Sequence, residues 1–221
     1  MFGGLHSPHP LPSEEALVEI ARAFTRAAPR PKRSLLFLFV TGEEQGLLGS
    51  SWYAEQPLYP LERTLAILNL DALNVHGRTR DLTIVGLGLS TLDDTLAQTA
   101  AAQGRVVKPD PTPEKGSYYR SDHFPFARKG VPSIHAGGGT EYVGKPAEYG
   151  KQLRDAYIAN DYHKPSDAVR PDWDLSGAVE DLALYLRAGY ELANGSTWPA
   201  WKPGAEWKPA RDRMLATEAR R

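Results

Sequence analysis

Short, continuously apolar runs recur along this chain and are separated by segments with helical patterning. Apolar runs of this kind, without polar alternation, are typical of strands that are buried on both faces of a parallel sheet. We predict four such strands, at Ser34–Val40, Thr64–Leu70, Asp81–Gly86 and Val131–Ala136.

Apolar residues at helical spacing predict helices between these strands. The first helix begins near Ser13, a suitable N-cap, and ends before Pro29. The most regular stripe lies in 174–193, where Leu175, Val179, Leu182, Leu186 and Tyr190 share one face. Further helices are predicted at Gly46–Gln56, Thr91–Gly104 and, as a short one, His123–Gly130. Strands that alternate with helices indicate an α/β fold, with a mostly parallel central sheet and helices on both faces.

The 221 residues suit one large α/β domain. Residues 1–12 are rich in Gly, Pro and His and are predicted to form an irregular arm. Residues 13–194 carry the strand and helix pattern of the domain. Residues 195–221 form a tail that is rich in Trp and Pro, and we expect it to pack locally without taking part in chemistry.

Charge and composition narrow the function classes. The 26 basic and 27 acidic residues give a net charge of −1, and this balance gives no electrostatic argument for a nucleic-acid partner. The longest apolar stretch, Leu35–Val40, is far too short to cross a bilayer, and we expect no membrane partner. Cysteine is absent, so any metal must be held by His, Asp or Glu.

Candidate chemistry follows two of the predicted strands. Glu43 and Glu44 come after the first strand, Asp71 ends the second, and His163 lies in a loop before the last helix. In open α/β sheets, functional groups collect beyond the carboxyl ends of the strands. Such oxygen and nitrogen donors suit zinc, and a spare glutamate suits a general base. Taken singly, the adjacent glutamates and His163 would usually be solvated loop residues. Asp71 is more informative, because it directly follows an apolar run, where a charge is costly unless it is solvated, hydrogen-bonded or bound to metal.

Four segments make this pattern specific, because they occur in order at compatible spacing: TGEEQGLLGS, LNLDALN, YYRSDHFPFARKGVPS and NDYHKPSDAV. In these segments the chain resembles the co-catalytic zinc aminopeptidases of the bacterial leucyl-aminopeptidase type, whose fold the glutaminyl cyclases share. The similarity runs from about residue 14 to about residue 208. It implies a zinc-exopeptidase fold and peptide substrates with a free N-terminus, cleaved one residue at a time.

The resemblance also implies a role for each site residue. Glu43 is the general base, Glu44 and His163 ligate one zinc, and Asp71 ligates the other. Tyr118 or Tyr119 hydrogen-bonds the oxyanion, although ordinary loop packing explains this pair as well.

Neighbouring residues receive supporting roles. Asp122 and His123 are expected to be structural, and Asp167 is expected to orient the imidazole of His163. No function is expected for His76 or His135, and 137–139 is interpreted as a flexible loop.

Two ligands of the family pattern have no counterpart here. The pattern includes the His of an H-x-D segment and the bridging Asp of a D-N-x-S-G segment, and the bridging position falls at His9. We therefore predict that the chain is truncated at its N-terminus, that the first strands of the sheet are missing, and that at most one zinc is weakly held.

Two other functions remain open at this stage. A glutaminyl cyclase is favoured by the segment Asp122–Phe126, and a fragment without catalytic activity, or a binding domain, would need no complete metal site. Proteins of the aminopeptidase family are often periplasmic or extracellular, but the start of this chain lacks the basic and apolar regions of a signal peptide. The compartment is therefore left unassigned.

Overall fold

The computed structural model describes residues 2–4 and 12–218. Seven helices lie within these ranges: α1 (Pro12–Thr25), α2 (Leu48–Glu55), α3 (Leu92–Ala102), α4 (Phe124–Arg128), α5 (Tyr149–Asn160), α6 (Ser176–Asn194) and α7 (Lys208–Glu218). Six strands lie there too: β1 (Phe2–Gly4), β2 (Phe37–Phe39), β3 (Ile67–Leu70), β4 (Asp81–Val85), β5 (Val106–Pro109) and β6 (Ser133–Gly138).

The strands form one sheet in the order β2-β1-β3-β6-β4-β5. Neighbours from β2 to β6 are parallel, β4 is antiparallel to β6, and β5 is parallel to β4. All four residues of β3 are buried. The predicted α/β class with a mostly parallel sheet is therefore confirmed.

Helices cover both faces of this sheet. Successive residues of a strand point to opposite sides, so alternate residues of β3 pack against different helices. Leu68 and Leu70 of β3 pack with α1, α3 and α6 in the larger core cluster. Ile67 of the same strand packs on the other side with Tyr53 of α2 and Phe126 of α4. Asn69 and the residue that follows β3, Asp71, belong by this alternation to the α2 and α4 side of the sheet.

Strand β1 was not predicted and lies between β2 and β3, second from one edge of the sheet. Its residue Gly3 is in register with Leu38 of β2 and with Asn69 of β3. The prediction of an irregular arm over residues 1–12 is therefore wrong for Phe2–Gly4. The local sequence does not indicate this strand, because the three-residue segment is a strand only through its pairing with the backbones of β2 and β3. His6 and His9 lie outside the described residues.

Three other elements differ from the sequence prediction. Strand β5 contains Pro109 and sits at the edge of the sheet, where a missing ladder donor is tolerated. Helix α5 has only Gly150 fully buried and therefore shows no apolar stripe. The third element, helix α7, was not predicted. It follows three Trp residues in a Pro-rich segment, and that composition favours a tail.

The C-terminal residues pack against the domain through specific contacts. The Trp201 indole N–H donates to the Gly130 carbonyl at 2.8 Å. Arg211 of α7 is buried and donates to the carbonyls of Leu61 and Thr64 at 3.1 and 3.0 Å. These bonds fix α7 beside the segment that enters β3. Among the described residues, no helix combines the length and apolar character needed to cross a membrane.

Candidate functional site

Asp71 is held at the carboxyl end of β3 by a chain of two hydrogen bonds. The Ser121 hydroxyl donates to Asp71 Oδ2 at 2.7 Å, and the Asn69 side-chain amide donates to the Ser121 oxygen at 2.7 Å. Asn69 is completely buried. The Asp71 carboxylate is 22% exposed, so its orientation is set from the core while it still faces solvent.

Glu43 and Glu44 lie on the tight turn between β2 and α2. The turn closes through hydrogen bonds from the Gly46 and Leu47 amides to the Glu43 carbonyl, at 3.0 and 2.9 Å. Gly46 has a φ of +99°, a conformation that glycine adopts without a steric penalty. The turn therefore presents both carboxylates at the carboxyl end of β2.

Glu44 and His163 meet directly, with His163 Nε2 2.8 Å from Glu44 Oε1. His163 belongs to the loop after α5 and has a φ of +58°. The Tyr162 ring stacks on its imidazole with centroids 3.8 Å apart. Both partners remain substantially exposed, Glu44 by 42% and His163 by 48%.

Electrostatics indicate that the two halves of the site converge. Burial, followed by the charges of Asp71 and Glu44, raises the pKa of Glu43 to about 7. Burial also raises the pKa of Tyr162, and the charges of Glu44, Glu43 and Asp71 add to that shift. Tyr162 therefore lies within the field of all three carboxylates.

Asp122 and His123 are buried behind Asp71, as a structural role requires. The Ser50 hydroxyl donates to Asp122 Oδ1 at 2.5 Å, and burial raises the pKa of Asp122 to about 6. His123 is fully buried, and burial holds its pKa well below the usual value. Among the described residues neither of its ring nitrogens has a hydrogen-bond partner.

Two residues occupy places that differ from expectation. His135, for which no function was expected, has its Nε2 4.0 Å from Asp71 Oδ2. Asp167 accepts a hydrogen bond from the Tyr157 hydroxyl at 2.7 Å, and no hydrogen bond joins it to His163 within the described residues. Residues 137 and 138 belong to β6 rather than to a flexible loop.

The two candidate oxyanion donors have different surroundings. Tyr118 is buried with Trp201 and Ala205, and burial raises the pKa of its hydroxyl. Tyr119 is about half exposed, with its ring edge-on to Tyr118. A role of either hydroxyl in catalysis stays a prediction.

A cleft of about 890 Å³ opens beside Asp71. Thr83 and Val85 of β4 and His135 of β6 line it on the same face of the sheet as Asp71. Residues of α5 and of the loop before α6 form the opposite wall. A substrate bound there would lie directly against the Asp71 carboxylate.

Within the described part of the chain, two of the three predicted zinc ligands are in direct contact with each other. Within residues 2–4 and 12–218, no three His, Asp or Glu side chains form a group that could hold a metal. Glu44 and His163 nonetheless bring an oxygen and a nitrogen donor together, and zinc binds both types. Asp71 points at the same region from the other side.

Sequence reasoning missed the groups that orient the site. Ser121, Asn69, Ser50 and Tyr162 make the contacts described above, but each is an ordinary polar or aromatic residue in its local sequence. Ser121 stands in the recognised segment YYRSDH. The sequence does not indicate its contact with Asp71, because the fold brings together two residues that are 50 positions apart.

Solved structures of similar fold come from bacterial aminopeptidases. LapA of Legionella pneumophila has a TM-score of 0.62 and 16% identity, over 89% of this chain and 52% of its own. The aminopeptidase of Aneurinibacillus sp. strain AM-1 has a TM-score of 0.60 and 19% identity, over 89% and 44%. LapB of L. pneumophila has a TM-score of 0.64 and 17% identity, over 88% and 51%. The chain thus spans about half the length of these relatives.

Sequence comparison gives a local match and a family match. The vacuolar membrane protease of Verticillium alfalfae (strain VaMs.102) is 40% identical over 63 residues, which are 28% of this chain and 6% of that protein. Residues 15–187, most of the chain, match Peptidase family M28. This chain therefore belongs to peptidase family M28.

Proposed function

We propose that this chain is the zinc-dependent catalytic part of an aminopeptidase that releases the N-terminal residue of peptides. The observation that carries the proposal is the contact of Glu44 with His163 at 2.8 Å, next to Glu43 and in reach of Asp71. Family M28 supports it, since its members are peptidases that are generally zinc-dependent. The fold likeness to bacterial aminopeptidases supports it further.

Glu44 and His163 are the residues that would hold zinc, and Asp71 is the carboxylate available from the opposite side. When bound, zinc acts as a Lewis acid that polarises the scissile carbonyl and lowers the pKa of water. Ser121 donates to Asp71 Oδ2, whereas no hydrogen bond reaches the other oxygen of Asp71 within the described residues.

Glu43 accepts the proton of the attacking water and returns it to the leaving amine. Its neighbour Glu44 is bonded to His163, whereas the Glu43 carboxylate has no hydrogen-bond or ion-pair partner among the described residues. A general base must be free in this way to approach a water molecule. The hydroxyl of Tyr118 or Tyr119 donates to the oxyanion that develops on the substrate carbonyl.

The glutaminyl-cyclase alternative gains no support from the segment that suggested it. Asp122 and His123 are buried, and Asp122 is bonded to Ser50. Neither residue lines the cleft beside Asp71.

The test is the substitution Glu43→Gln, which keeps the shape of the side chain but removes its ability to accept a proton. We expect release of N-terminal residues from an unblocked peptide, assayed with excess zinc, to fall by about 100-fold or more. Zinc content, measured by elemental analysis after dialysis, stays unchanged.

Glu55→Gln provides the matched control, because Glu55 lies on α2 and pairs with Lys129 away from the site. This control keeps full activity, and a peptide with an acetylated N-terminus is not cleaved by either protein. Near-full activity of Glu43→Gln, or loss of zinc from it, would contradict the assigned roles.

A further inference from the structure

The cleft beside Asp71 has an acidic residue at its far side. Asp110 directly follows β5, whose last residue Pro109 pairs with Ile84 of β4. The side chain lines the cleft, and the residue is only 8% exposed. Asp110 therefore lies across the sheet from Asp71, with β6 and β4 between the strands that carry them.

One oxygen of this carboxylate has no partner. Asp110 Oδ1 accepts hydrogen bonds from the Thr112 amide at 2.9 Å and from the Thr112 hydroxyl at 3.3 Å. Asp110 Oδ2 is buried and has no hydrogen-bond partner within the described part of the chain. A buried carboxylate oxygen without a donor is costly, so a ligand that supplies a donor is favoured there.

The charges that line the cleft favour a cation. Five aspartates contribute to the lining against two arginines, Arg154 and Arg170. Arg170 is paired with Asp161 at 3.2 Å. Arg154 contacts the Thr112 hydroxyl at 3.4 Å, and no ion pair within the described residues joins it to Asp110. Aspartates therefore outnumber arginines in the lining, and Arg154 approaches Asp110 only through the Thr112 hydroxyl that both contact.

The remaining walls suit an aliphatic stem. Leu73, Val85, Leu153 and Trp173 line the cleft along with the polar groups. A lysine or arginine side chain combines such a stem with a charged head, so its methylenes can pack on apolar walls while the head finds a carboxylate.

The span of the cleft matches a long side chain. Asp71 and Asp110 follow β3 and β5, which are three strand spacings apart, or roughly 14 Å at about 4.8 Å per spacing. The register places Asp110 level with Asn69, so Asp71 lies two residues, or about 7 Å, farther along the strands. A lysine ammonium extends roughly 6 Å from its Cα with bonds of about 1.5 Å. Hydrogen bonds of about 3 Å at each end cover most of the remaining distance. Short side chains cannot bridge it.

We propose that Asp110 selects substrates whose N-terminal residue is lysine or arginine, by accepting a hydrogen bond from the cationic head at the far side of the cleft. This inference rests on the proposed function, since it takes the α-amino end of a peptide to lie beside Asp71. It assigns the side-chain preference of the same site.

Binding of two amides tests the inference without requiring catalysis. L-lysinamide and L-norleucinamide share the same four-carbon stem and differ only in the terminal ammonium. The measurement uses Glu43→Gln as the common background, so that neither amide is hydrolysed. By calorimetry with zinc present, we expect this protein to bind lysinamide about 10-fold or more tightly, as a charge-assisted hydrogen bond provides. Asp110→Asn reduces this ratio to about 2-fold or less and leaves norleucinamide affinity unchanged. Asp172→Asn, at an exposed residue of the same cleft, keeps the ratio.

Equal affinity of the Glu43→Gln protein for both amides would overturn the inference, and this comparison needs no change at Asp110. A thermal melt verifies that Asp110→Asn is folded, and an equal loss of both ligands by a folded variant would also overturn it. Lysinamide preference without peptide hydrolysis would instead contradict the proposed function. Hydrolysis of leucyl peptides without any lysine preference would contradict only the assignment of Asp110.

Discussion

The two halves of the candidate metal site are built in different ways. Asp71 is oriented by Ser121 and Asn69, a hydrogen-bonded chain that begins in the fully buried interior of the sheet. Glu44 and His163 sit on exposed loops and are held by their own contact and by the ring of Tyr162. One half is therefore part of the core, and the other depends on loops.

This difference separates stability from ligand binding. Substitutions on the Asp71 side remove interactions that the folded state needs, because buried polar groups are left without partners. Substitutions on the Glu44 side affect groups that water can solvate in the folded protein, so they change the free energy of unfolding little. Each side can be altered while the other serves as the reference.

The largest effect is expected for Glu44→Gln. Metal analysis after dialysis gives about one zinc per unaltered chain at most, and the variant loses zinc affinity by about 100-fold or more because a carboxylate ligand is gone. The free energy of unfolding without zinc changes by less than about 0.5 kcal/mol, since Glu44 is exposed.

Glu114→Gln, at an exposed residue of another loop, is the control and retains zinc. Two tightly held zinc ions in the unaltered chain, or full zinc binding by Glu44→Gln, would mean that other residues form the site.

A smaller effect, on stability rather than on zinc affinity, is expected for Asn69→Ala. The change leaves the Ser121 hydroxyl without its donor inside the core and lowers the free energy of unfolding by about 2 kcal/mol. Urea denaturation measures this loss, and the variant still binds zinc through Glu44 and His163. Asn160→Ala, at an exposed residue of α5, changes stability by less than about 0.5 kcal/mol. If Asn69→Ala were as stable as this control, the buried chain would not be what anchors Asp71.

The smallest effect concerns Tyr162, whose ring stacks on His163. Tyr162→Ala removes an aromatic contact of about 0.5–1.5 kcal/mol. We therefore expect zinc affinity, measured by competition with a chelating dye, to fall roughly 3- to 10-fold. Tyr59→Ala, at an exposed tyrosine away from the site, leaves the affinity unchanged. An unchanged affinity in Tyr162→Ala would show that the Glu44 contact alone orients the imidazole.

The core of the fold was predictable because its signals are local. Strand β3 is an apolar run that is buried at every position, and Asp71 follows it directly, so both the strand and its terminal carboxylate could be identified. Helix α6 was also predictable from its apolar periodicity, but the predicted stripe is not its buried face. Leu175 and Val179 are exposed, whereas Leu184, Tyr185 and Ala188 are buried.

The rest depends on contacts between distant segments. Strand β1 exists because β2 and β3 flank it, and α5 buries too little apolar surface to show a stripe. The convergence of Glu44 with His163 was suggested only by the resemblance, because 119 positions separate them in the chain. The support of Asp71 by Ser121 had no signal beyond a serine inside a recognised segment.

The position of β1 has a consequence for how the sheet assembles. Phe2 pairs with Phe37 and with Leu68, which lie 35 and 66 positions away in the chain, so this short strand joins segments that are distant in the sequence. Closing large loops slows folding, and β1 is therefore expected to dock late. Until it docks, β2 is separated from β3, and both present unpaired edges on which another chain could add a strand. Pairing of Phe2–Gly4 with β2 and β3 therefore covers both edges and removes them as sites for intermolecular strand pairing.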